Sequence, residues 1–218
     1  MKKRIFCLSL AVLLLISCAC SKSPKKELYN YEVTDEPFES MEISYTHATY
    51  LTHENEQELY DKADLVFIGM PVDTFTDGKA RYFDRDLNEV TENSEDILYR
   101  YTTRDIKVLE MIKGDSSLET VRVADRAAVK TYEDGSTKIL GLPNNTHIAK
   151  KNVKYVYYVY HALGEQMDFY FTAYDGGLVN LDGLDEKVDL GNHKLADTKA
   201  RFSRQFIKYD RSAELETK

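Results

Sequence analysis

No cysteine occurs after Cys20, so the remaining 198 residues must fold without disulfides. The other two cysteines, Cys7 and Cys18, also lie within the first 20 residues. A domain of this kind depends on an ordinary hydrophobic core for its stability. The same distribution excludes cysteine-ligated zinc, thiol nucleophiles and dithiol redox motifs from the folded part.

The N-terminus has the pattern of a secretion signal. Lys2, Lys3 and Arg4 precede an almost wholly apolar stretch from Ile5 to Ile16. This stretch is shorter than the ~20 residues that a membrane-spanning helix needs. A basic start, a short apolar segment and small residues after it are typical of a secretory signal. Residues 1–17 are therefore predicted to be a signal peptide.

The signal ends in Leu15-Ile16-Ser17-Cys18, which resembles the lipobox of bacterial lipoproteins. The resemblance implies cleavage before Cys18, a diacylglycerol on its thiol and, in some members, an acyl chain on the new amino group. Each buried CH₂ of such chains contributes ~0.8 kcal/mol to membrane binding. The mature chain is thus expected to be lipid-anchored on the extracytoplasmic face of the cell membrane. Cys20 is the alternative acceptor, although its own box would begin with a polar residue.

The mature chain is acidic. The formal charge of the whole sequence is −8, and it becomes −11 once the three basic residues of the signal are removed. This charge disfavours nucleic acid and anionic lipid headgroups as partners. The chain also contains 16 Tyr and no Trp. Tyrosine-rich strands are common where one face is buried and the ring edge stays wet, and a tyrosine-rich binding surface is the alternative interpretation.

The pattern of residues divides the mature chain into three parts. Residues 18–45 are polar, which predicts a tether that separates the domain from the membrane. Residues 46–194 alternate between apolar strands and turns, which predicts a single β domain. Residues 195–218 are expected to form a C-terminal helix and tail, because apolar side chains from Leu195 to Tyr209 recur at helical spacing.

Within the β domain, helix formers from Asn55 to Lys62 predict a short N-terminal helix. The stretch from Leu65 to Val72 predicts the strongest buried strand, and Gly69 inside it predicts a bulge or a close backbone approach. Asp134-Gly135 between two apolar stretches predicts a β-hairpin. The stretch from Val153 to Leu163 carries Val or Tyr on both faces, which predicts a central strand.

Two short motifs carry a family resemblance. They are Ala63-Asp64-Leu65-Val66-Phe67-Ile68-Gly69 and Val108-Leu109-Glu110-Met111-Ile112-Lys113-Gly114. With the apolar strand that follows, they resemble the netrin and metalloproteinase-inhibitor-like OB barrels over roughly residues 55–175. The resemblance implies a mostly β, small closed or partly open OB-like barrel. In such a barrel the glycine of the first long strand permits a sharp bend, and the Lys-Gly turn ends its neighbour.

The departures from this family limit what the resemblance implies about activity. Metalloproteinase inhibitors reach a zinc ion with a free N-terminal cysteine, whereas the N-terminal Cys18 is expected to carry lipid. OB barrels that bind single strands place aromatic residues in a basic groove, and no basic groove is evident in this sequence. Neither activity is therefore carried over.

One acidic segment matches the ligand spacing of a calcium loop. Its oxygen-bearing residues at loop positions 1, 3, 5, 9 and 12 are Asp84, Asp86, Asn88, Glu92 and Glu95. Position 6, where the sharp turn favours glycine, is Glu89, and no clear helices flank the segment. A solvated acidic loop is the alternative interpretation, and no metal site is predicted here.

No catalytic motif is recognisable. The sequence contains no Gly-x-Ser-x-Gly elbow, phosphate-binding loop or dinucleotide fingerprint. Its histidines, among them His47, His53 and His147, match no standard zinc spacing. The sequence thus favours a non-enzymatic binding or accessory lipoprotein with a protein, peptide or envelope partner, and no cofactor beyond the covalent lipid. A cell-envelope hydrolase or calcium-supported enzyme with dispersed carboxylates is the alternative.

Overall fold

The computed structural model describes residues 36–46, 52–143, 146–161 and 167–211, and their fold is mostly β. The strands are β1 (Glu42–Thr46), β2 (Leu65–Pro71), β3 (Lys79–Phe83), β4 (Glu89–Val90), β5 (Tyr99–Lys113), β6 (Thr120–Asp125), β7 (Ala128–Thr131), β8 (Thr137–Pro143), β9 (Tyr155–His161), β10 (Tyr170–Thr172) and β11 (Leu178–Asn180). The α-helices are α1 (Glu56–Lys62), α2 (Leu195–Arg201) and α3 (Ser203–Tyr209), and 3₁₀ turns span Pro37–Ser40 and Glu186–Asp189. Within the described ranges, none of these helices has the length and apolarity to cross a membrane.

Five strands close into the predicted OB-like barrel. β2 pairs with both β5 and β9, β5 continues to β6, and β9 continues to β10. The parallel pairing of β6 with β10 completes the ring, and the other four pairings are antiparallel. A closed sheet leaves no exposed edge among its own strands.

Gly69 enables β2 to pair on both sides, as its position in the sequence predicts. The register of β2 against β5 shifts between Ile68 and Gly69. A Cβ atom at this position would lie 2.7 Å from the Ile106 Cγ2 atom and 2.7 Å from the Phe67 Cε2 atom. The barrel wall therefore bends at Gly69 because only a hydrogen fits beneath it.

The two family motifs meet in space, and their polar residues are structural. The Asp64 carboxylate accepts a hydrogen bond from the His161 amide at 2.7 Å, which ties the start of β2 to the end of β9. The Lys113 ammonium group fixes the C-terminal end of α1. It donates to the carbonyl oxygens of Tyr60, Asp61 and Ala63 at 2.9, 2.9 and 2.6 Å. Unpaired carbonyls at a helix end need such donors, so Lys113 stabilises the contact between β5 and the end of α1.

The tyrosines of β9 are buried in the core, which differs from the expectation of wet ring edges. Tyr155, Tyr157 and Tyr158 are each at most 1% exposed. Tyr157 stacks on Phe67 inside the barrel with ring centroids 5.0 Å apart. β9 has neighbours on both faces, because the barrel core covers one face and the helices cover the other.

Three of the β9 hydroxyl groups bond to residues far away in the chain. Tyr155 donates to Asp185 at 2.8 Å, and Tyr158 donates to Glu56 at 2.6 Å. Tyr160 pairs with His53, whose pKa is lowered by burial. These bonds satisfy hydroxyls that burial would otherwise leave unpaired.

The predicted C-terminal helical segment is present, and the structure divides it into two short helices. α2 and α3 are separated at Phe202, which is 2% exposed and packs edge-on against Tyr158 at 6.2 Å. Arg201 at the end of α2 donates to both carboxylate oxygens of Glu56 at 2.7 and 2.8 Å. The helix breaks because anchoring an aromatic ring in the core requires the chain to turn.

A second, three-stranded sheet covers one end of the molecule. β1 pairs in parallel with β8, and β8 pairs with β7 through the predicted Asp-Gly hairpin, where Gly135 has a φ of +81°. Ile139 of β8 belongs to the same buried cluster as Phe75, and both residues are fully buried. The folded part includes residues 36–45, which the sequence pattern assigned to the tether, and Glu36 is itself buried.

Candidate functional site

An open groove of about 590 Å³ lies between four segments of the described chain. Its walls come from the first 3₁₀ turn, from β1, from the segment after β8 and from the second 3₁₀ turn. Its apolar lining is Phe38, Ile43, Tyr45, Leu142, Ile148, Val188 and Leu190, and its polar lining is Glu39, Thr146, His147, Lys150, Asp185 and Lys187. Tyr45 and Leu190 are 54% and 73% exposed at its rim. The groove has the size and mixed lining of a ligand site.

Residues 146–151 form one wall of the groove, and buried polar groups hold this wall in place. The Ala149 carbonyl accepts from the Arg104 guanidinium at 2.8 Å. The Lys150 amide donates to the Tyr155 hydroxyl at 2.8 Å. The Lys151 amide donates to the Glu36 carboxylate. The wall is therefore preorganised although it contains no regular secondary structure.

Four charged side chains in the groove neutralise one another. Lys150 Nζ lies 2.8 Å from Glu39 Oε1 and 3.8 Å from Asp185 Oδ1, and Lys187 Nζ lies 3.6 Å from Glu39 Oε1. The hydrogen bond from Lys150 lowers the pKa of Glu39. Burial raises the pKa of Asp185. Two ammonium groups thus balance two carboxylates, and these four side chains leave the groove with no net charge.

His147 lies between the groove and the barrel interior. Its side chain lines the groove and also lines an inner pocket of about 10 Å³. Partial burial of the ring lowers the pKa of His147, which favours the neutral imidazole. A neutral imidazole offers one donor and one acceptor to a bound molecule.

The inner pocket is polar on one side. Arg104 and Asp125 form an ion pair there, with a Nη2–Oδ2 distance of 2.8 Å. The Arg104 side chain is 2% exposed, and burial raises the pKa of Asp125. Tyr157 also lines this pocket, and its hydroxyl interacts electrostatically with Arg104 and Asp125. A buried charge pair of this kind holds the barrel and the groove wall together, because Arg104 contacts both.

The residues singled out by sequence lie elsewhere. Cys18 and Cys20, with His47, are outside the described residues. Asp84 binds Asn88 in a turn, with Oδ2 accepting from Nδ2 at 3.0 Å. The other members of the acidic segment, Asp86, Glu92 and Glu95, are exposed around β4. In residues 36–46, 52–143, 146–161 and 167–211, no three His, Cys, Asp or Glu side chains are grouped as a metal site requires.

The groove residues carry no signal in the sequence. Phe38, Ile43, His147 and Asp185 come from four separate segments, and no spacing between them matches a motif. Comparison with known proteins supplies no motif for these residues either. No family model, no curated protein and no solved structure matches this chain.

Proposed function

We propose that this chain is a lipoprotein anchored through Cys18 on the extracytoplasmic face of the cell membrane, and that its groove binds a protein, peptide or envelope component without catalysis. The basic start, the short apolar segment and the lipobox support the address. The lack of cysteine in the folded part agrees with a domain that is secreted but needs no disulfide.

The groove is the observation that carries the binding role. It combines a preformed wall, an apolar floor and a neutral imidazole, which is a set of features typical of ligand sites. Lys150 stands between the carboxylates of Glu39 and Asp185, which favours a structural ion cluster over an acid–base pair. Because the groove charges cancel, we expect the bound surface to be largely uncharged where it contacts this lining.

Replacing Cys18 with alanine should prevent lipidation. The expected result is loss of the protein from the membrane fraction, or its persistence as unprocessed precursor, because the thiol that carries the diacylglycerol is missing. Cell fractionation and metabolic labelling with a radioactive fatty acid measure this. The matched control is Cys20→Ala, which should remain labelled and membrane-bound. Unchanged processing and retention of the Cys18→Ala variant would assign the acceptor to Cys20.

A photo-reactive amino acid at position 190 should capture the partner on intact cells. Leu190 lines the groove and is 73% exposed, so a probe there reaches a bound surface without disturbing the core. The expected result is a discrete cross-linked species, identified by mass spectrometry. Tyr45→Asp, introduced together with the probe at position 190, should weaken that capture about tenfold. Tyr45 is the other large apolar residue exposed at the groove rim, and burying one such side chain contributes ~1.5–3 kcal/mol.

The matched control is position 207. Ile207 is an aliphatic residue on α3 that is 80% exposed and does not line the groove. The same probe at position 207 should yield no such species, and Ile207→Asp should leave capture at position 190 unchanged. Equal capture from both positions would show that the groove is not the binding surface.

A further inference from the structure

The Tyr157 hydroxyl is buried without a protein partner. The Tyr157 residue is 1% exposed, and its hydroxyl oxygen has no hydrogen-bond partner among the described residues. The hydroxyls of Tyr155, Tyr158 and Tyr160 on the same strand all have one. Leaving a buried hydroxyl unpaired costs about 1–3 kcal/mol. Its environment should therefore contain something that pairs with it.

The neighbouring ion pair has unused capacity on the same side. Arg104 uses its Nε–H and one Nη2–H on Asp125 Oδ2, at 3.1 and 2.8 Å. Its Nη1 group donates to the carbonyls of Ala149 and Asp73 at 2.8 and 3.4 Å. A guanidinium has five N–H donors, so one Nη2–H is left. Both bonds to Asp125 reach Oδ2, which leaves Oδ1 as an available acceptor.

We infer that the inner pocket binds one water molecule, which links the Tyr157 hydroxyl to the Arg104–Asp125 pair. The pocket is lined by all three of these residues and by His147. Its volume of about 10 Å³ is close to the minimum of ~10–15 Å³ that a single water requires. A buried water typically makes about three hydrogen bonds, and the lining offers that number of polar groups.

Water fits this pocket better than an ion does. Arg104 and Asp125 already cancel each other's charge, so neither an anion nor a cation is favoured. The remaining N–H and the carboxylate oxygen need an acceptor and a donor in one small molecule, and water supplies both. The Tyr157 hydroxyl can then donate to the same oxygen. The bridge would support the groove wall, because Arg104 also holds the Ala149 carbonyl.

Tyr157→Phe tests the inference through the sign of its effect on stability. If the water is bound, the variant loses a hydrogen bond and the unfolding equilibrium should shift about three- to tenfold toward the unfolded state. If the hydroxyl is unpaired, its removal relieves a desolvation cost and should shift the equilibrium the other way. Urea denaturation of the mature domain measures either shift. An increase in stability would overturn the inference.

Tyr158→Phe is the reference variant, because it shows how much stability is lost when a hydrogen-bonded tyrosine hydroxyl on the same strand is removed. Its hydroxyl donates directly to the Glu56 carboxylate at 2.6 Å, so the variant should be destabilised whether or not the inner pocket is hydrated. A crystal structure of the wild-type domain at high resolution is the second measurement. It should show one ordered water within hydrogen-bond distance of the Tyr157 hydroxyl and of Asp125. A pocket without water, or a direct protein partner for the hydroxyl, would refute the bridge.

Discussion

Replacing Arg104 with leucine is expected to lower the free energy of unfolding by about 3–5 kcal/mol, which is typical when one member of a buried ion pair is removed. The variant leaves Asp125 as an uncompensated carboxylate inside the barrel, where burial already raises its pKa. It also leaves the Ala149 carbonyl of the groove wall without its donor. Urea denaturation followed by circular dichroism measures the loss.

The control for this prediction is an arginine on the surface. Arg122 is 47% exposed and contacts Asp105 and Asp168 at 3.1 and 2.9 Å. Arg122→Leu should cost less than about 1 kcal/mol, because solvent screens exposed ion pairs. Combining Arg104→Leu with Asp125→Leu should recover part of the loss, since no buried charge then remains. Equal losses in the free energy of unfolding for Arg104→Leu and Arg122→Leu would contradict the prediction that burial makes the Arg104–Asp125 pair more costly to break.

Gly69→Ala is expected to destabilise the barrel by about 3 kcal/mol through overpacking. The new methyl group would lie 2.7 Å from side-chain atoms of Ile106 and Phe67. Those two residues are 1% and 0% exposed, so neither can move away without disturbing the core. Thermal unfolding of the purified domain, compared with the wild type, measures the effect.

Gly191→Ala separates steric overlap from backbone preference. Gly191 has a φ of +77° and nothing within 4 Å of an added Cβ atom. Its replacement should cost only the ~1–2 kcal/mol of a left-handed residue. A Gly69→Ala variant no less stable than Gly191→Ala would contradict the close approach that bends β2.

The barrel was predictable because its determinants are local. The apolar stretch of β2 with Gly69 inside it, and the Lys113-Gly114 turn at the end of β5, each fall within a few residues. In the OB-like barrels that these motifs resemble, they mark a strand that bends and a neighbouring strand that ends. The structure adds that Lys113 fixes the end of α1, a contact that spans about 50 residues and leaves no periodic trace.

The groove and the inner pocket were not predictable because their partners are distant. Alternation along β5 indicates that Arg104 belongs to a polar face, yet Asp125 on the next strand and Ala149 beyond it enclose the guanidinium. Phe202 likewise fits a continuous helical pattern, and the helix breaks there because its ring packs on Tyr158. In each case tertiary contacts outweigh the local preference.

The hydrogen bonds of Glu36 would bear tension in a chain that is anchored as proposed. The buried Glu36 carboxylate accepts hydrogen bonds from the Phe75 and Lys151 amides, although Glu36 lies within residues 18–45, the predicted tether. Tension transmitted along the chain to Glu36 would therefore act on the Lys151 amide, which is next to Lys150 in the groove wall. A pull that detached Glu36 would loosen the groove while the hydrogen-bonded ring of the barrel stayed closed. Load on the proposed lipid anchor would then lower the affinity of the groove for the proposed partner.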